Sequence, residues 1–257
     1  MTQPCAILRL ETSIGREVRI HDRLASTNTT ALELARQADS HGLAVVARFQ
    51  TNGRGQYGRV WQSQPDRSLL MSVVLHPPAE LRGPVVLTAF AAVAVAKAIR
   101  RLSGAQARIK WPNDLLIGGK KVCGILIEQH GPASILGIGL NLNQTADQFT
   151  EAGLADATSL GIVRGAAMFE VSDVAMTVLR ELDREYCRLL NGERTAVEVE
   201  WKRRIGLVGK DVVVEAMDGG ASVGYLHEMS FEGLVLETET GTRLVVPESV
   251  RHVSEPG

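Results

Sequence analysis

The sequence predicts an α/β domain over residues 1–206 followed by a small β-barrel over 207–257. Two observations support that division. Up to Gly206, apolar runs of strand length are interleaved with Ala-rich or amphipathic runs of helix length. After Gly206 only short strand-like runs remain, at regular spacing and separated by glycine turns.

Val18–Asp22 reads as a short strand. A helical pattern follows at Ala31, Leu32, Ala35 and Ala38; Thr30 with Glu33 fits a capping box, and Gly42 fits the helix stop. Leu43–Gln50 and Ser68–His76 read as strands, the second ended by Pro77-Pro78. Residues 51–67 between them are rich in Gly, Arg and Gln and read as a loop. Val85–Leu102 reads as a helix; it is Ala-rich and interrupted by Thr88 and Lys97, which suits a buried helix rather than a membrane span. Ala107–Trp111 is a strand running into Pro112. Leu115–Ile117 and Val122–Glu128 flank Gly118-Gly119-Lys120-Lys121, a hairpin signal. Ser134–Asn141 reads as a strand, Ser172 and Asp173 open a long amphipathic helix reaching Leu190, and Ala196–Arg204 reads as a further helix. Beyond Leu207 the strands are Asp211–Ala216, Ser222–Met229, Gly233–Glu239 and Arg243–Val246.

Composition excludes several classes. The 257 residues carry a formal net charge of −1, so no whole-protein field draws in nucleic acid or a membrane. The cysteines Cys5, Cys123 and Cys187 are odd in number, widely spaced and form no CxxC pair. A disulfide framework is therefore not expected, and a reducing cytoplasm is. The N-terminal residues lack the basic and apolar regions of a secretion signal. The histidines show no metal-ligand spacing, so no structural zinc is expected.

Gly53-Arg54-Gly55-Gln56-Tyr57-Gly58-Arg59 satisfies GxGxxG. A dinucleotide fingerprint needs a helix after it, but Trp61, Pro65 and a strand pattern follow instead. The kinase companions of a glycine-rich loop are also missing. What remains is a tight turn whose N–H groups could cradle an anion, with Arg54 and Arg59 as fork-shaped donors, set against a flexible turn with solvated arginines. Lys110-Trp111-Pro112-Asn113-Asp114 ends an apparent strand, where Pro112 stops regular pairing. Lys121 lies at the far end or on the return strand of the hairpin that follows; with Asp114 it reads as a reactive pair or as a surface ion pair worth little.

Ser26-Thr27-Asn28, Gln50, Gly53-Arg54-Gly55-x-x-Gly58-Arg59-x-Trp61, Lys110–Asp114, Lys121 with Gly124-Ile125-Leu126, and Gly137-Ile138-Gly139-Leu140-Asn141 occur in this order. In that order they resemble biotin–protein ligases, over roughly residues 18 to 250. The resemblance implies a mixed-sheet α/β (α+β) catalytic domain of the biotin/lipoate ligase type, with a C-terminal SH3-like barrel. It implies a two-step reaction through biotinyl-5′-AMP, with biotin, ATP and Mg²⁺, and biotin carboxyl carrier protein as acceptor. By position, the biotin site takes Ser26, Thr27, Asn28, Gln50, Gly53, Arg54, Gly55, Gln56, Lys121 and Gly124. The ATP site takes Arg54, Arg59, Trp61, Lys110, Asn113, Asp114, Lys121 and Asn141. Lys121, Arg54 and Asp114 are the catalytic candidates, and Mg²⁺ comes with ATP near Asp114 rather than in a protein cage. For Ser26-Thr27-Asn28 helix capping is an alternative role.

Two departures matter. Relatives often carry Arg where Gln56 and Tyr57 stand, and the first of those arginines is associated with holding the adenylate. Gln56 supplies no charge, so weaker retention or compensation by another residue is expected, with Gln56→Arg slowing release. Only about 25 residues precede Ser26, too few for a helix-turn-helix domain, so no DNA binding and no membrane partner are expected, with the protein a monomer or homodimer. Competing readings are a lipoate or octanoate ligase on the same fold, and a non-catalytic binding relative.

Overall fold

The computed structural model describes residues 2–256. In chain order the elements begin with β1 (Ala6–Leu8), β2 (Glu17–Leu24), α1 (Thr27–Leu34), β3 (Leu43–Gln50), β4 (Ser68–Leu75) and α2 (Pro84–Ser103). Then come β5 (Arg108–Lys110), β6 (Asp114–Ile117), β7 (Lys120–His130), β8 (Ala133–Asn141), α3 (Ala146–Glu151) and α4 (Leu160–Val163). The chain continues through α5 (Val171–Leu190), α6 (Arg194–Ile205), β9 (Lys210–Ala216), β10 (Ala221–Met229), β11 (Leu234–Thr238), β12 (Gly241–Val245) and β13 (Val250–Ser254).

Eight strands form one mixed sheet, in the order β1-β2-β3-β4-β8-β7-β6-β5. Only β2 and β3 run parallel, because α1 crosses over between them; every other pair is antiparallel. Alternation along each strand assigns the two faces. Val46, Met71, Val73, Leu136, Ile138 and Leu140 point to one face, where α2 and α5 cover them in the main core. Val45, Ala47, Val74 and Ile135 point to the other, under α1. Because α1 has only eight residues, it covers part of that face and leaves the rest for a cavity.

Three expectations need correction. The helix at Ala31 ends at Leu34 rather than running toward Gly42, and its N-cap is Ser26, without a side-chain cap bond, rather than Thr30. Gly42 stops no helix: it sits where a Cβ would lie 1.8 Å from the Ser13 carbonyl oxygen, so close backbone approach requires it. The C-terminal strands form a five-stranded antiparallel sheet, β12-β11-β10-β9-β13, and not a closed barrel. Among the described residues β13 pairs with β9 and no ladder joins it to β12, since the turn Pro247–Ser249 carries the chain to the opposite edge. The pattern reading also passed over β1, α3, α4 and β13, all five residues or fewer apart from the six-residue α3.

The two units meet through aromatic packing. Trp201 of α6, 1% exposed, lies 5.6 Å from Trp111 and 5.4 Å from Phe231, ring to ring. The Trp111 indole N–H donates to the Val250 carbonyl at 3.3 Å.

At the end of β3 away from Gln50, the His76 backbone N–H donates to His41 Nδ1 at 3.0 Å, so that nitrogen must be unprotonated. Burial holds the His41 pKa below its usual value, helped by His76 and Arg16 and opposed by Asp183 and Asp39. A lowered folded-state pKa means the unfolded chain binds the proton first. The stabilisation is therefore complete above the unfolded pKa, about 6.5, and fades as pH falls toward the folded value. Between about pH 7.5 and 5.5 the wild type should lose more unfolding free energy than His41→Asn, which keeps an acceptor but gains no proton, by at most about 1.4 kcal/mol per pH unit. Parallel urea titrations of the two proteins with equal pH slopes would contradict this.

Candidate active site

A cavity of ≈ 430 Å³ opens on the sheet face that α1 leaves bare. Its floor is glycine. Gly124 of β7 pairs with Gly139 of β8, and Gly137 lies two residues along β8 on the same face. The Trp61 indole rests on this floor: a Cβ at Gly139 would come within 2.6 Å of the ring, and one at Gly124 within 2.9 Å.

One end of the cavity is a closed hydrogen-bond set. Gln50 Oε1 accepts from the Thr27 N–H at 2.6 Å and from its hydroxyl at 3.0 Å. The Ser72 hydroxyl lies 2.7 Å from Thr27 Oγ1 and 2.5 Å from Asn28 Oδ1. Asn28 Nδ2 donates to Glu128 Oε2 at 2.6 Å, and Arg54 meets the same oxygen at 3.0 Å. Ser26, Thr27, Asn28 and Gln50 are all buried. Gly137 provides room for this set, as a Cβ there would lie 2.4 Å from Asn28 Oδ1.

At the other end Lys121 Nζ sits 2.8 Å from Asp114 Oδ1. Local strand geometry explains how they meet. Leu115 pairs with Cys123 and Leu116 with Lys121, so Val122 is an extra residue, a β-bulge. Lys121 and Gly124 are three residues apart and would point to opposite faces in a regular strand. The bulge reverses that parity, leaving Lys121 Nζ 3.5 Å from where a Gly124 Cβ would stand and 5.6 Å from the Trp61 ring centroid. At the bulge β7 also turns to a new partner, with the Lys121 N–H donating to the Asp156 carbonyl and its carbonyl accepting from the Thr158 N–H. Asp114 reaches the same face because it pairs directly with Gly124. Asn113 is fixed by Ile125: its Nδ2 donates to the Ile125 carbonyl at 2.7 Å, and its own carbonyl accepts from the Ile125 N–H at 3.0 Å. The thiol beside this pair, Cys123, is fully buried, and burial, then Asp114, push its pKa up, which removes it as a nucleophile.

The structure brings the sequence candidates together. Ser26, Thr27, Asn28, Gln50, Arg54, Gly55, Gln56, Arg59, Trp61, Lys110, Asn113, Asp114, Lys121, Gly124 and Asn141 all line the one cavity. Gly53 does not; it lies behind the wall, where a Cβ would lie 2.5 Å from the Trp61 carbonyl. The Gly/Arg loop is no open N–H cradle. It is a hairpin bonded to itself, with the Gly55 N–H donating to the Arg59 carbonyl at 2.7 Å and the Trp61 N–H to the Gly53 carbonyl at 3.0 Å. Pattern reading missed Ser72, Glu128 and Gln144. Gln144 is buried and lines the cavity; its Nε2 donates to Ser68 Oγ and Asn141 Oδ1, while its Oε1 has no partner among the described residues. Asn141 Nδ2 in turn donates to the Thr158 carbonyl at 3.0 Å. His252, from β13, completes the wall.

The biotin/lipoate A/B protein ligase family model matches residues 20–144. A bifunctional ligase/repressor, BirA, of Bacillus subtilis is 35% identical over 241 residues, which span 90% of this chain and 73% of that protein. The chain belongs to the biotin–protein ligase family. A biotin–[acetyl-CoA-carboxylase] ligase of Mycobacterium tuberculosis is 32% identical over 237 residues, covering 90% of this chain and 86% of the relative. Among solved structures, the biotin protein ligase from Aquifex aeolicus in complex with biotin and ATP superposes with a TM-score of 0.78 at 25% identity, over 93% of this chain and 99% of that one. The match to this ligase family extends through both the mixed sheet and the C-terminal strands. No helix among the described residues is long and apolar enough to cross a membrane.

Proposed function

We propose that the protein activates biotin with ATP and transfers it to a lysine of a biotin carboxyl carrier protein. The observation that supports this most directly is one cavity with a buried amide–hydroxyl set at one end and a lysine–carboxylate pair at the other, joined over a glycine floor. A flat bicyclic ureido compound needs such a slot, and its N–H and C=O groups need buried partners. The carboxylate tail then lies toward Lys121.

In the first step a biotin carboxylate oxygen attacks the α-phosphorus of ATP. A P–O bond forms, the bond to the β-phosphate breaks, and pyrophosphate leaves with biotinyl-5′-AMP remaining. In the second step the unprotonated amine of the acceptor lysine attacks the acyl carbon. The C–N bond forms, AMP leaves with the electron pair of the C–O bond, and the amine nitrogen loses a proton to water. Neither step needs a covalent enzyme nucleophile. The obstacle is bringing two anions together, which at about 4 Å and an effective dielectric of about 20 costs about 4 kcal/mol. Lys121 offsets it by leaving Asp114 for the carboxylate–phosphate junction, with Arg59 and Lys110 on the phosphates and Arg54 joining them once it leaves Glu128. Asp114 is then free for the incoming amine or for Mg²⁺. Among the described residues no group of three His, Cys, Asp or Glu side chains could hold a metal alone. A single carboxylate fits an Mg²⁺ carried mainly by nucleotide phosphates, whose charge it would help neutralise. Asn141 and Asn113 serve the nucleotide, while Ser26, Thr27, Asn28, Gln50, Gly55 and Gln56 serve biotin.

In the same reading residues 1–206 are the catalytic domain and 207–257 an SH3-like unit, and the protein acts in the cytoplasm as a monomer or homodimer without binding DNA. Salt-sensitive retardation of duplex DNA would remove the last point. The activity is tested by pyrophosphate exchange into ATP with biotin, lipoate or octanoate supplied in turn. Exchange is expected with biotin; exchange with lipoate or octanoate alone would put a lipoate-type ligase in its place, and none with any acid would leave a binding protein.

A further inference from the structure

We infer that Tyr57 is a positioning residue that latches the Gly53–Arg59 hairpin onto the C-terminal sheet, so that the smaller unit holds the substrate loop in place. Its consequence for turnover rests on the ligase reading; the latch itself rests on geometry.

The hairpin is closed at its base by the Arg54–Val60 bridge and the Gly55–Arg59 bond. At its tip Tyr57 adopts φ 57, ψ 36, the left-handed region that side-chain-bearing residues other than Asn and Asp rarely visit. Such a conformation persists where surrounding contacts over-determine it. Here the hairpin's own backbone bonds close the turn around Tyr57, while the contacts of its half-exposed side chain belong to the other unit. The Tyr57 hydroxyl donates to Met217 Sδ at 3.6 Å, and the Arg251 guanidinium carbon lies 5.4 Å from the ring centroid. Met217 follows β9, Arg251 lies on β13, and the Met217 N–H donates to the Ser249 carbonyl at 2.8 Å, so the two receiving groups are held together. Each contact is modest alone. Among the described residues, however, Tyr57 makes the one side-chain hydrogen bond from residues 55–60 to anything outside that segment. Gln56 and Arg59, its neighbours on the cavity wall, have no such anchor. The strand that carries Arg251 also places His252 on that wall, so the docked hairpin and β13 form one side of the site.

Ordering the loop in advance removes a cost from ligand binding. If the latch is lost and the loop is competent only about a tenth of the time, the apparent affinity for biotin falls about ten-fold. The chemical step on bound substrate is unaffected.

The test uses the full chain without ligand. Trypsin can cut after Arg54 and Arg59 only when the hairpin opens, so the nicking rate reports the latch whether or not the protein is a ligase. Tyr57→Asn suits the left-handed backbone but lacks the ring, and should be nicked about ten-fold faster than wild type. Tyr57→Phe keeps the ring on Arg251 and should stay within about two-fold, and Met217→Ala should fall between them. In biotin-dependent exchange Tyr57→Asn should raise KM for biotin about ten-fold with kcat within about two-fold. Wild-type nicking in both Tyr57→Asn and Met217→Ala would overturn the latch, since the hairpin would then be held by its own backbone bonds. Faster nicking with unchanged KM would overturn the positioning role. Faster nicking with no exchange in any protein, wild type included, would keep the latch and reject the ligase reading.

Discussion

Lys121→Ala is expected to reduce biotin-dependent pyrophosphate exchange by about 10³-fold, the scale seen when one preorganised charge-stabilising group is removed from an active site. Stability should change by less than about 1 kcal/mol, because the pair it forms with Asp114 is partly solvated, the lysine side chain being 37% exposed. The same substitution thus separates a chemical role from an ordinary surface ion pair. Exchange close to wild type in a variant that unfolds at the wild-type urea concentration would end the proposed role. Lys121→Arg should not rescue fully, because a planar fork cannot replace a compact ammonium over the Trp61 ring and the Gly124 backbone.

Gly139→Val should weaken biotin binding by about a hundred-fold, equivalent to about 2.7 kcal/mol. Gly139 is inside β8, where β-branched residues are favoured, so the backbone has no reason to object. The added atoms instead fall against the indole that rests on the floor, the Cβ alone coming within 2.6 Å of Trp61. The ring must move away or the slot must fill; in either case the bicyclic ligand loses its floor. Calorimetric titration with biotin gives the affinity, and circular dichroism checks that the sheet persists. Unchanged affinity would mean that biotin lies elsewhere in the cavity.

Sequence patterning recovered most of the fold because hydrophobic periodicity reports burial directly. β3 is Leu43–Gln50 as expected, and α2 extends only slightly beyond Val85–Leu102. Short elements were lost where periodicity has too few residues to register. α3 did have a local signal: Thr145 and Gln148 form a capping box in the structure. The Thr30–Glu33 pair has the same Ser/Thr-x-x-Glu/Gln spacing and forms none, since Thr27 and Asn28 already occupy the first turn of α1. The candidate site was legible only as ordered motifs. Spacing could not show that Glu128 would hold both Asn28 and Arg54, or that Ser72 from β4 would join Thr27 to Asn28. Those contacts depend on register across neighbouring strands, which no local window contains. The glycines at 124, 137 and 139 were visible as letters; their purpose became clear only when their faces were known.

The extra residue at Val122 makes the position of the Lys121 ammonium a matter of odd and even counting. Insertions and deletions in this hairpin therefore divide into two kinds. One that changes the Lys121-to-Gly124 interval by a single residue could keep the lysine in the cavity only if the strand ran regularly there. One that changes it by two would need the irregularity preserved. Aligning the letters of distant relatives without tracking this parity would match lysines that point to opposite sides of the sheet.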